Sequence, residues 1–445
     1  MLYCSGPLCF DRAYKIRGCL SVIPRKQLSL LTVYYTHNLT ILCSMNYNFD
    51  EIIDRSNNYA VKYDETKEKF GRDDLIPLWI ADMDFKAADP IINALQERAM
   101  QGIYGYTSRP IEYFEAIKKW QLEKNNWEVD TSLMSHALGV LPMLANLMHT
   151  FLEKGDKVII QPPVFHEFKN VIEAWGGEVV TNQLIENNGR YYIDFDDLRN
   201  KAKQGAKFMI VCNPHNPVGR VWSKEELEAI ANICIENNIT IISDEIYSDI
   251  MLWGNKHTPM ASISEEIRKH TITCTSSTKT FNLAGLQVAT VIFPNLNMKN
   301  QYDAILKKIE TYRNNAFSIV ANTIAFTEGK EWFLDATTYI EENIKYAVDY
   351  INSNIPQIKV SIPDSTYLLW LDCRNLNLDG DDLVDFFVNK ARLALNDGRL
   401  FGDGGDGYMR INIACPRRIL EKALYQLENA VDSYNFDKYE LISGC

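Results

Sequence analysis

KFMIVCNPHNPVGRVWSKEELEAIANICIENNITIISDE, residues 207–245, contains the unit that decides the fold. An apolar run (207–212) leads into a turn, an amphipathic segment and a second apolar run (239–245). Ser223 and Glu226 have the spacing of a capping box, which indicates the start of a helix between the two runs. A strand, a helix and a strand in this order predict a βαβ unit with parallel strands.

Apolar runs rich in Val and Ile recur along the chain and alternate with amphipathic stretches. This alternation predicts an α/β fold in which helices cover both faces of a mostly parallel sheet. The other predicted strands, all expected to be parallel and buried, are DKVIIQ (156–161), TITCTS (271–276) and QVATVIF (287–293).

The chain is long enough for two domains, and 46% of its residues are hydrophobic, which supplies large cores. We expect residues 90–322 to form a large domain. Residues 323–445 are expected to form a smaller α+β domain, because strand patterns there follow a long helical pattern without strict alternation. Residues 45–89 carry too few apolar side chains for a core of their own and are expected to join the small domain.

The chain ahead of this segment has no clear pattern. Residues 1–44 lack periodicity, whereas Met45 opens MNYNFDEIIDRSNNYAVKYD (45–64), which is typical of a polar, helix-forming start to a domain. We expect Met45 to be the translational start, so that residues 1–44 are an extension. An arm that covers a partner subunit is the alternative.

Composition excludes several classes of function. The net charge of −12, without any Lys/Arg-rich run, excludes nucleic acid as a partner. No apolar stretch approaches the roughly 18 residues of a membrane span. The ten cysteines show no paired spacing and are expected to be free thiols in the cytoplasm, and the seven histidines lack the spacing of a metal site.

A candidate catalytic lysine follows a predicted strand. SSTKTFNLAG (276–285) places Lys279 among small hydroxyl residues. Lysine is seldom buried without a functional reason, and desolvation lowers the pKa of its amine, which then forms an imine with an aldehyde cofactor. A solvated surface lysine is the alternative for this motif taken alone.

Polar residues follow two further predicted strands. Asp244, in SDEIYSD (243–249), is placed where ligands bind in open α/β sheets, and its carboxylate would keep a pyridine nitrogen protonated. In CNPHNPVGR (212–220) the prolines fix Asn216, whose amide and the Tyr247 hydroxyl both suit a phenolate-type oxygen. A helix cap for Asp244 and a plain loop for Asn216 are the alternatives.

A candidate carboxylate-binding residue lies near the C-terminus. Arg410, in YMRINIAC (408–415), is in a predicted strand, and its guanidinium fork suits the α-carboxylate of an amino acid. The alternative is an exposed strand arginine. The preceding run FGDGGDG lacks the Lys-Ser/Thr ending of a phosphate-binding P-loop.

These motifs together resemble the fold-type I pyridoxal-phosphate enzymes of the class I/II aminotransferase family, and the resemblance covers about residues 46–435. It implies pyridoxal 5'-phosphate as cofactor, bound as a Schiff base to Lys279. It further implies Asp244 as partner of the ring nitrogen, Asn216 and Tyr247 as donors to the ring oxygen, and Arg410 as carboxylate clamp.

The same resemblance implies further site residues and a homodimer with shared active sites. Backbone N–H groups at Val140 and Leu141, the start of a helix, are implied to bind the phosphate together with Ser276. Tyr106 is implied to reach the phosphate of the neighbouring subunit and to take part in catalysis, as is Tyr247. Phe165 is implied to stack on the ring.

The sequence departs from the family pattern at two positions. An arginine that pairs with the phosphate in many aminotransferases is replaced by Gln287, so other donors have to offset the phosphate charge. The stacking residue, often tyrosine, is Phe165, which lacks a phenol. His166 beside it is a candidate replacement, although a structural role is the alternative.

The reaction is inferred from a narrower resemblance. PLWIADMDFKAADPIINAL (77–95) and QPPVFHEF are similar to the cystathionine β-lyase, or C–S lyase, branch. This implies β-elimination from L-cystathionine or cysteine conjugates, with Ala81 and Asp82 in contact with substrate or, alternatively, in a structural turn. An aminotransferase is the first alternative. A lyase that also binds a transcription regulator is the second.

Overall fold

The computed structural model describes residues 45–443, with side chains as far as Tyr434. The predicted extension, residues 1–44, lies outside the described residues. The described chain forms an α/β fold around a seven-stranded sheet, and the predicted fold class is confirmed. None of the described helices is long and apolar enough to cross a membrane.

The strands are short and are numbered along the chain. They are β1 (Ile76–Pro77), β2 (Met134–Ala137), β3 (Lys157–Ile160), β4 (Glu178–Thr181), β5 (Ile185–Asn187), β6 (Arg190–Tyr192), β7 (Ala206–Cys212), β8 (Thr240–Asp244), β9 (Thr271–Thr275), β10 (Ala289–Ile292), β11 (Lys359–Val360), β12 (Leu368–Asp372), β13 (Leu393–Ala394), β14 (Asn396–Asp397) and β15 (Tyr408–Asn412).

The helices range from single turns to long C-terminal segments. They are Val61–Asp64, Thr66–Phe70, Asp89–Met100, Ile111–Asn125, Val140–Phe151, Glu167–Ala174, Phe195–Ala202, Lys224–Glu236, Glu265–Lys269, Ser277–Thr280, Leu296–Lys308, Ser318–Glu328, Lys330–Asn354, Gly380–Asp385 and Arg417–Ser443, with a π-helical turn at Phe386–Lys390.

The main sheet has the strand order β2-β10-β9-β8-β7-β3-β4. Strands β4, β3, β7, β8 and β9 run parallel to one another, as predicted for the four of them that the sequence indicated. The capping box of the helix after β7 is also present, with Ser223 and Glu226 bonding each other's backbone N–H. The βαβ unit at 207–245 is thereby confirmed.

Alternate side chains of the buried strands enter two apolar clusters. Met209 and Val211 pack with Leu227, from the helix Lys224–Glu236. Phe208 and Ile210 pack in a second cluster that includes the helices after β2 and β3. Because side chains of a strand point alternately to opposite faces, the sheet is covered on both sides.

The predicted direction of the strand at 287–293 is wrong. β10 runs antiparallel to both β9 and β2. Between Thr275 and Ala289 the chain forms only the short helix Ser277–Thr280 and the turn Ala284–Leu286, so it returns along the same end of the sheet. A parallel strand needs a crossover that carries the chain back to the opposite end.

Two strands of the main sheet were not predicted. β2 contains Ser135 and His136, both buried, so its sequence does not form an apolar run. β4 lies at the edge of the sheet and is partly exposed, so its residues do not form a clear apolar run in the sequence.

The helical start predicted for residues 45–64 is wrong for most of that segment. Only Val61–Asp64 is helical, because Asn57 and Tyr59 have positive φ angles of 55° and 57°, which interrupt a right-handed helix. The segment is fixed by ion pairs instead. The Nζ of the buried Lys62 lies 2.8 Å from a carboxylate oxygen of Asp84.

The C-terminal region contains a second sheet, with the order β11-β12-β15-β14 and antiparallel pairing throughout. The N-terminal segment contacts this region, since β1 pairs with β13. The proposed domain boundaries at residues 89 and 322 stay a prediction.

Candidate active site

Four of the predicted site residues follow neighbouring parallel strands. Asn216 follows β7, Asp244 ends β8, Tyr247 comes three residues later, and Lys279 follows β9. Because the carboxyl ends of parallel strands meet at one edge, these side chains converge there. Together with Arg410 they line a cavity of about 850 Å³.

The amine of Lys279 is held by a backbone carbonyl. Its Nζ donates to the carbonyl oxygen of Ala81 at 2.6 Å. Burial of the amine lowers the pKa of Lys279 to about 8, and the nearby Asp82 carboxylate partly opposes this shift. Roughly a tenth to a fifth of the amine is therefore neutral near physiological pH, and this fraction can act as a nucleophile or base.

The carboxylate of Asp244 lies in the interior of the protein. The residue is 2% exposed, and Oδ1 accepts the backbone N–H of Ile246 at 3.2 Å. Burial raises the pKa of Asp244 to about 7, and the neighbouring Glu245 adds to the rise, while Lys279 opposes it. A buried acid of this kind is stabilised by a cationic group placed against it.

Arg410 is buried and only partly satisfied. Its Nη1 donates to Asn216 Oδ1 at 3.1 Å, and Nη2 donates to Asn396 Oδ1 at 2.6 Å and to the carbonyl of Trp79 at 3.0 Å. The guanidinium lies over the ring of Phe401, 5.0 Å from its centroid. Within the described residues its buried Nε has no hydrogen-bond partner, so a ligand oxygen would satisfy an otherwise costly donor.

Another part of the cavity wall is the start of a helix. Val140 is the first residue of the helix Val140–Phe151, and it lines the cavity with Leu141. The unpaired backbone N–H groups of a helix start favour an anion there. Phe165 and His166 line the same cavity.

Three predicted residues are placed differently within the single chain. The hydroxyl of Ser276 donates to the Val288 carbonyl at 2.6 Å and caps the Ser277–Thr280 helix, and Thr278 lines the cavity instead. The carboxylate of Asp82 turns to Arg55, 2.7 Å away.

Tyr106 is 97% exposed on the surface of the chain. The guanidinium of Arg313 lies 5.8 Å from its ring centroid. Within one chain Tyr106 is therefore separate from the cavity.

A family model described as aminotransferase class I and II matches residues 73–427. The chain belongs to the class I and II aminotransferase family. The matched region includes the cavity-lining residues from Trp79 to Arg410, so the candidate site lies within it.

Similar proteins include one named as a cystathionine β-lyase and two solved structures. The chain is 37% identical to "Cystathionine beta-lyase PatB" of Bacillus subtilis, over 86% of this chain and 100% of that one. A PLP-bound putative aminotransferase from Clostridium difficile 630 is 46% identical, with a TM-score of 0.85 over 87% of this chain and 100% of that one. The PLP-bound C–S lyase from Staphylococcus hominis is 33% identical, with a TM-score of 0.82 over 87% and 99%.

Several residues in or beside the cavity had no signal in the sequence. Asn396 bonds Arg410 from β14, a strand of two residues, and Thr278 is one of several hydroxyl residues before Lys279. Tyr367, which donates to the Ala81 carbonyl beside the cavity, precedes β12 and belongs to an apolar run in the sequence. Only a predicted pairing of β12, β14 and β15 would have brought Asn396 and Tyr367 to this part of the molecule.

The buried Asp244 carboxylate predicts a pH dependence of stability for the cofactor-free chain. Because its folded pKa of about 7 exceeds its unfolded value, the stability it contributes is full below about pH 4 and is lost as the pH rises through 7. Asp244→Asn should therefore raise the free energy of unfolding at pH 8 by about 4 kcal/mol and flatten this pH dependence. Urea unfolding between pH 5 and 8 measures both.

The control is Asp432→Asn, which removes an exposed carboxylate on the last helix. It should leave the pH dependence of unfolding as it is in the wild type. Equal curves for Asp244→Asn and the wild type would contradict the burial argument.

Proposed function

We propose that this chain is a pyridoxal-phosphate-dependent C–S β-lyase that cleaves L-cystathionine or other cysteine thioethers to a thiol, pyruvate and ammonia. The observation that carries the proposal is the convergence of Lys279, Asp244 and Arg410 on one cavity. The chain also matches the whole length of a cystathionine β-lyase at 37% identity. A cavity of about 850 Å³ is large enough for a cofactor and an amino acid.

The residues present fit pyridoxal 5'-phosphate. The buried carboxylate of Asp244, whose pKa is raised to about 7, lacks the cation that a protonated ring nitrogen would provide. The helix start at Val140 suits the phosphate. The other groups proposed to hold the cofactor are Lys279 at the aldehyde, Asn216 and Tyr247 at the ring oxygen, Phe165 on the ring face, Leu141 and Ser276 at the phosphate and Tyr106 of a second subunit.

Pyridoxal phosphate supplies, when bound, an electron sink that lowers the cost of removing the substrate α-proton. Lys279 is the group that takes this proton, since a pKa of about 8 leaves part of the amine neutral at physiological pH. Its N–H bond to the Ala81 carbonyl fixes the amine and so directs the lone pair. Cleavage of the Cβ–S bond then releases the thiol.

Arg410 holds the substrate by its α-carboxylate. The guanidinium is fixed on three sides by Asn216, Asn396 and the Trp79 carbonyl, so it binds without reorganisation. This fixed anchor determines which substrate bond faces Lys279. Ala81 is proposed to line the entry to the site, and Asp82 to act on Lys279 by its charge.

The decisive experiment supplies the purified yellow protein with L-cystathionine and no keto acid. We expect equal amounts of pyruvate, ammonia and homocysteine, measured by coupled dehydrogenase and thiol assays. Lys279→Ala should abolish both the release and the visible absorbance of the lysine-bound cofactor. A variant that keeps the absorbance band would show that another lysine carries the cofactor.

An aminotransferase is the second candidate, because the 46% identical structure from Clostridium difficile is described as a putative aminotransferase. Both reactions begin with removal of the substrate α-proton, and they differ in the step that follows it. Turnover that requires an added keto acid, with no pyruvate in its absence, would establish this candidate and overturn the lyase.

Arg410→Ala should raise KM for L-cystathionine by about 100-fold, because two charge-assisted hydrogen bonds to the carboxylate are lost. Arg410→Lys is the matched control, since it keeps the charge and loses the fork. It should give an intermediate KM. Steady-state kinetics decides, and an unchanged KM in Arg410→Ala would remove this residue from the carboxylate site.

We further propose a homodimer whose active sites are shared. The apolar side chains of Met100, Ile103, Tyr104 and Tyr106 are all exposed in the single chain, and Tyr106 at 97% has no role within it. Several exposed apolar side chains within seven residues favour burial of this segment against a second copy. Tyr106 would then reach the phosphate in the partner's cavity.

Mixing two defective variants tests shared sites. Lys279→Ala and Tyr106→Ala should each have low activity, because each damages every site of a homodimer. After subunit exchange the mixed dimers contain one intact site, so activity should return to about a quarter of the wild-type value. No recovery, with dimers demonstrated by sedimentation, would place Tyr106 in its own subunit's site.

The cytoplasm is the proposed location of the enzyme. Five cysteines of the described residues, Cys212, Cys234, Cys274, Cys373 and Cys415, are buried and carry free thiols. Reducing conditions keep such thiols free.

A further inference from the structure

Tyr367 is a buried tyrosine that contacts two groups of the proposed site. It is fully buried immediately before β12. Its hydroxyl donates to the Ala81 carbonyl at 2.9 Å. Its ring lies at 74° to that of Tyr247, with 5.7 Å between the centroids.

The Ala81 carbonyl is shared by two donors. Lys279 Nζ donates to it at 2.6 Å, so the amine and the Tyr367 hydroxyl occupy its two lone pairs. The flanking carbonyls of Ile80 and Asp82 accept from Asn412 Nδ2 at 2.7 and 2.6 Å. The three carbonyls of residues 80–82 are therefore all fixed by side chains of the small sheet.

The donors themselves come from one rigid element. Asn412, in β15, pairs with Leu368 in β12, which is the residue after Tyr367. Thr366, before Tyr367, has a φ of 75°, a conformation that a β-branched residue rarely adopts, and its hydroxyl accepts the Leu368 N–H. The backbone thus holds the phenol in one orientation.

The contact with Tyr247 is one between two buried rings. Burial raises the pKa of both phenols, so each hydroxyl stays protonated near neutral pH and has one proton to donate. The proton of Tyr367 is directed to the Ala81 carbonyl, which leaves the proton of Tyr247 for the ring oxygen that it is proposed to face.

We propose that Tyr367 is a positioning residue of the reaction, which sets the Lys279 amine through the Ala81 carbonyl and the Tyr247 hydroxyl through direct contact. The inference rests on the proposed function, because Lys279 and Tyr247 act there on the cofactor and the substrate. Tyr367 itself touches neither reacting atom. Its effect is on the geometry of two groups that do.

Tyr367→Phe tests this in the purified holoenzyme, because it keeps the buried ring and leaves the Ala81 carbonyl bonded to Lys279. We expect kcat for L-cystathionine to fall about tenfold, the effect of one hydrogen bond on the barrier, with KM changed less than about twofold. The pH midpoint of the visible cofactor absorbance should rise by about half a unit, since the Ala81 carbonyl, relieved of the phenol, is a stronger acceptor for a proton on the Lys279 nitrogen.

The matched control is Tyr302→Phe, which removes another fully buried phenol whose hydroxyl donates to a backbone carbonyl, that of His136 at 3.2 Å. It should leave the absorbance midpoint and kcat unchanged. If Tyr367→Phe alters only thermal stability, as a structural tyrosine would, the positioning role is overturned. In a Tyr247→Phe background the midpoint shift should persist, because it arises through the Ala81 carbonyl, and a shift that vanishes there would overturn that route.

The proposed lyase activity and the positioning role of Tyr367 can be overturned independently of each other. A wild-type enzyme that releases no pyruvate would overturn the lyase, while the absorbance titration, which needs only bound cofactor, would still decide the role of Tyr367. A normal lyase whose midpoint does not respond to Tyr367→Phe would leave the proposed function intact and overturn the positioning role.

Discussion

The burial of the Asp244 carboxylate at the end of β8 is the constraint on which the site depends. A negative charge buried here costs free energy unless a cation or a proton neutralises it. This cost is the reason that the pKa of Asp244 is raised to about 7. The position is fixed because β8 lies in the middle of the sheet, between β7 and β9, with its side chains enclosed by helices on both faces. The same strands therefore place Asn216 and Lys279 around the carboxylate.

The segment 80–85 joins the two sheets of the molecule at this site. Asn282, just after Lys279, bonds the backbone of Met83 and Phe85, and Asn412 of the small sheet bonds Ile80 and Asp82. The backbone groups of the segment are satisfied by side chains rather than by a regular strand. An N-terminal segment without a core of its own thereby becomes one wall of the cavity.

The charged side chains beside the cavity are paired with one another, whereas a hydrogen-bond donor inside the cavity lacks a partner among the described residues. Asp82 and Asp84 are neutralised by Arg55 and Lys62 on the far side of the 80–85 segment. Arg410 retains a buried Nε without a partner among the described residues. A zwitterionic amino acid needs charged partners inside the cavity. A site for it therefore requires cavity side chains that are not already fully paired, while the charged side chains outside the cavity are paired with each other.

The sequence by itself determined the parallel strands and the residues at their ends, because buried strands read as apolar runs and the reactive side chains follow them within a few residues. Lys279, Asp244 and Asn216 were predicted in this way, whereas Arg410 was predicted from the guanidinium that it places within a C-terminal strand, β15. Only the tertiary structure decided the antiparallel direction of β10, the irregular backbone of 45–60 and the contact of Tyr367 with the Ala81 carbonyl. These features depend on pairings between residues far apart in the chain, and such pairings leave no local pattern in the sequence.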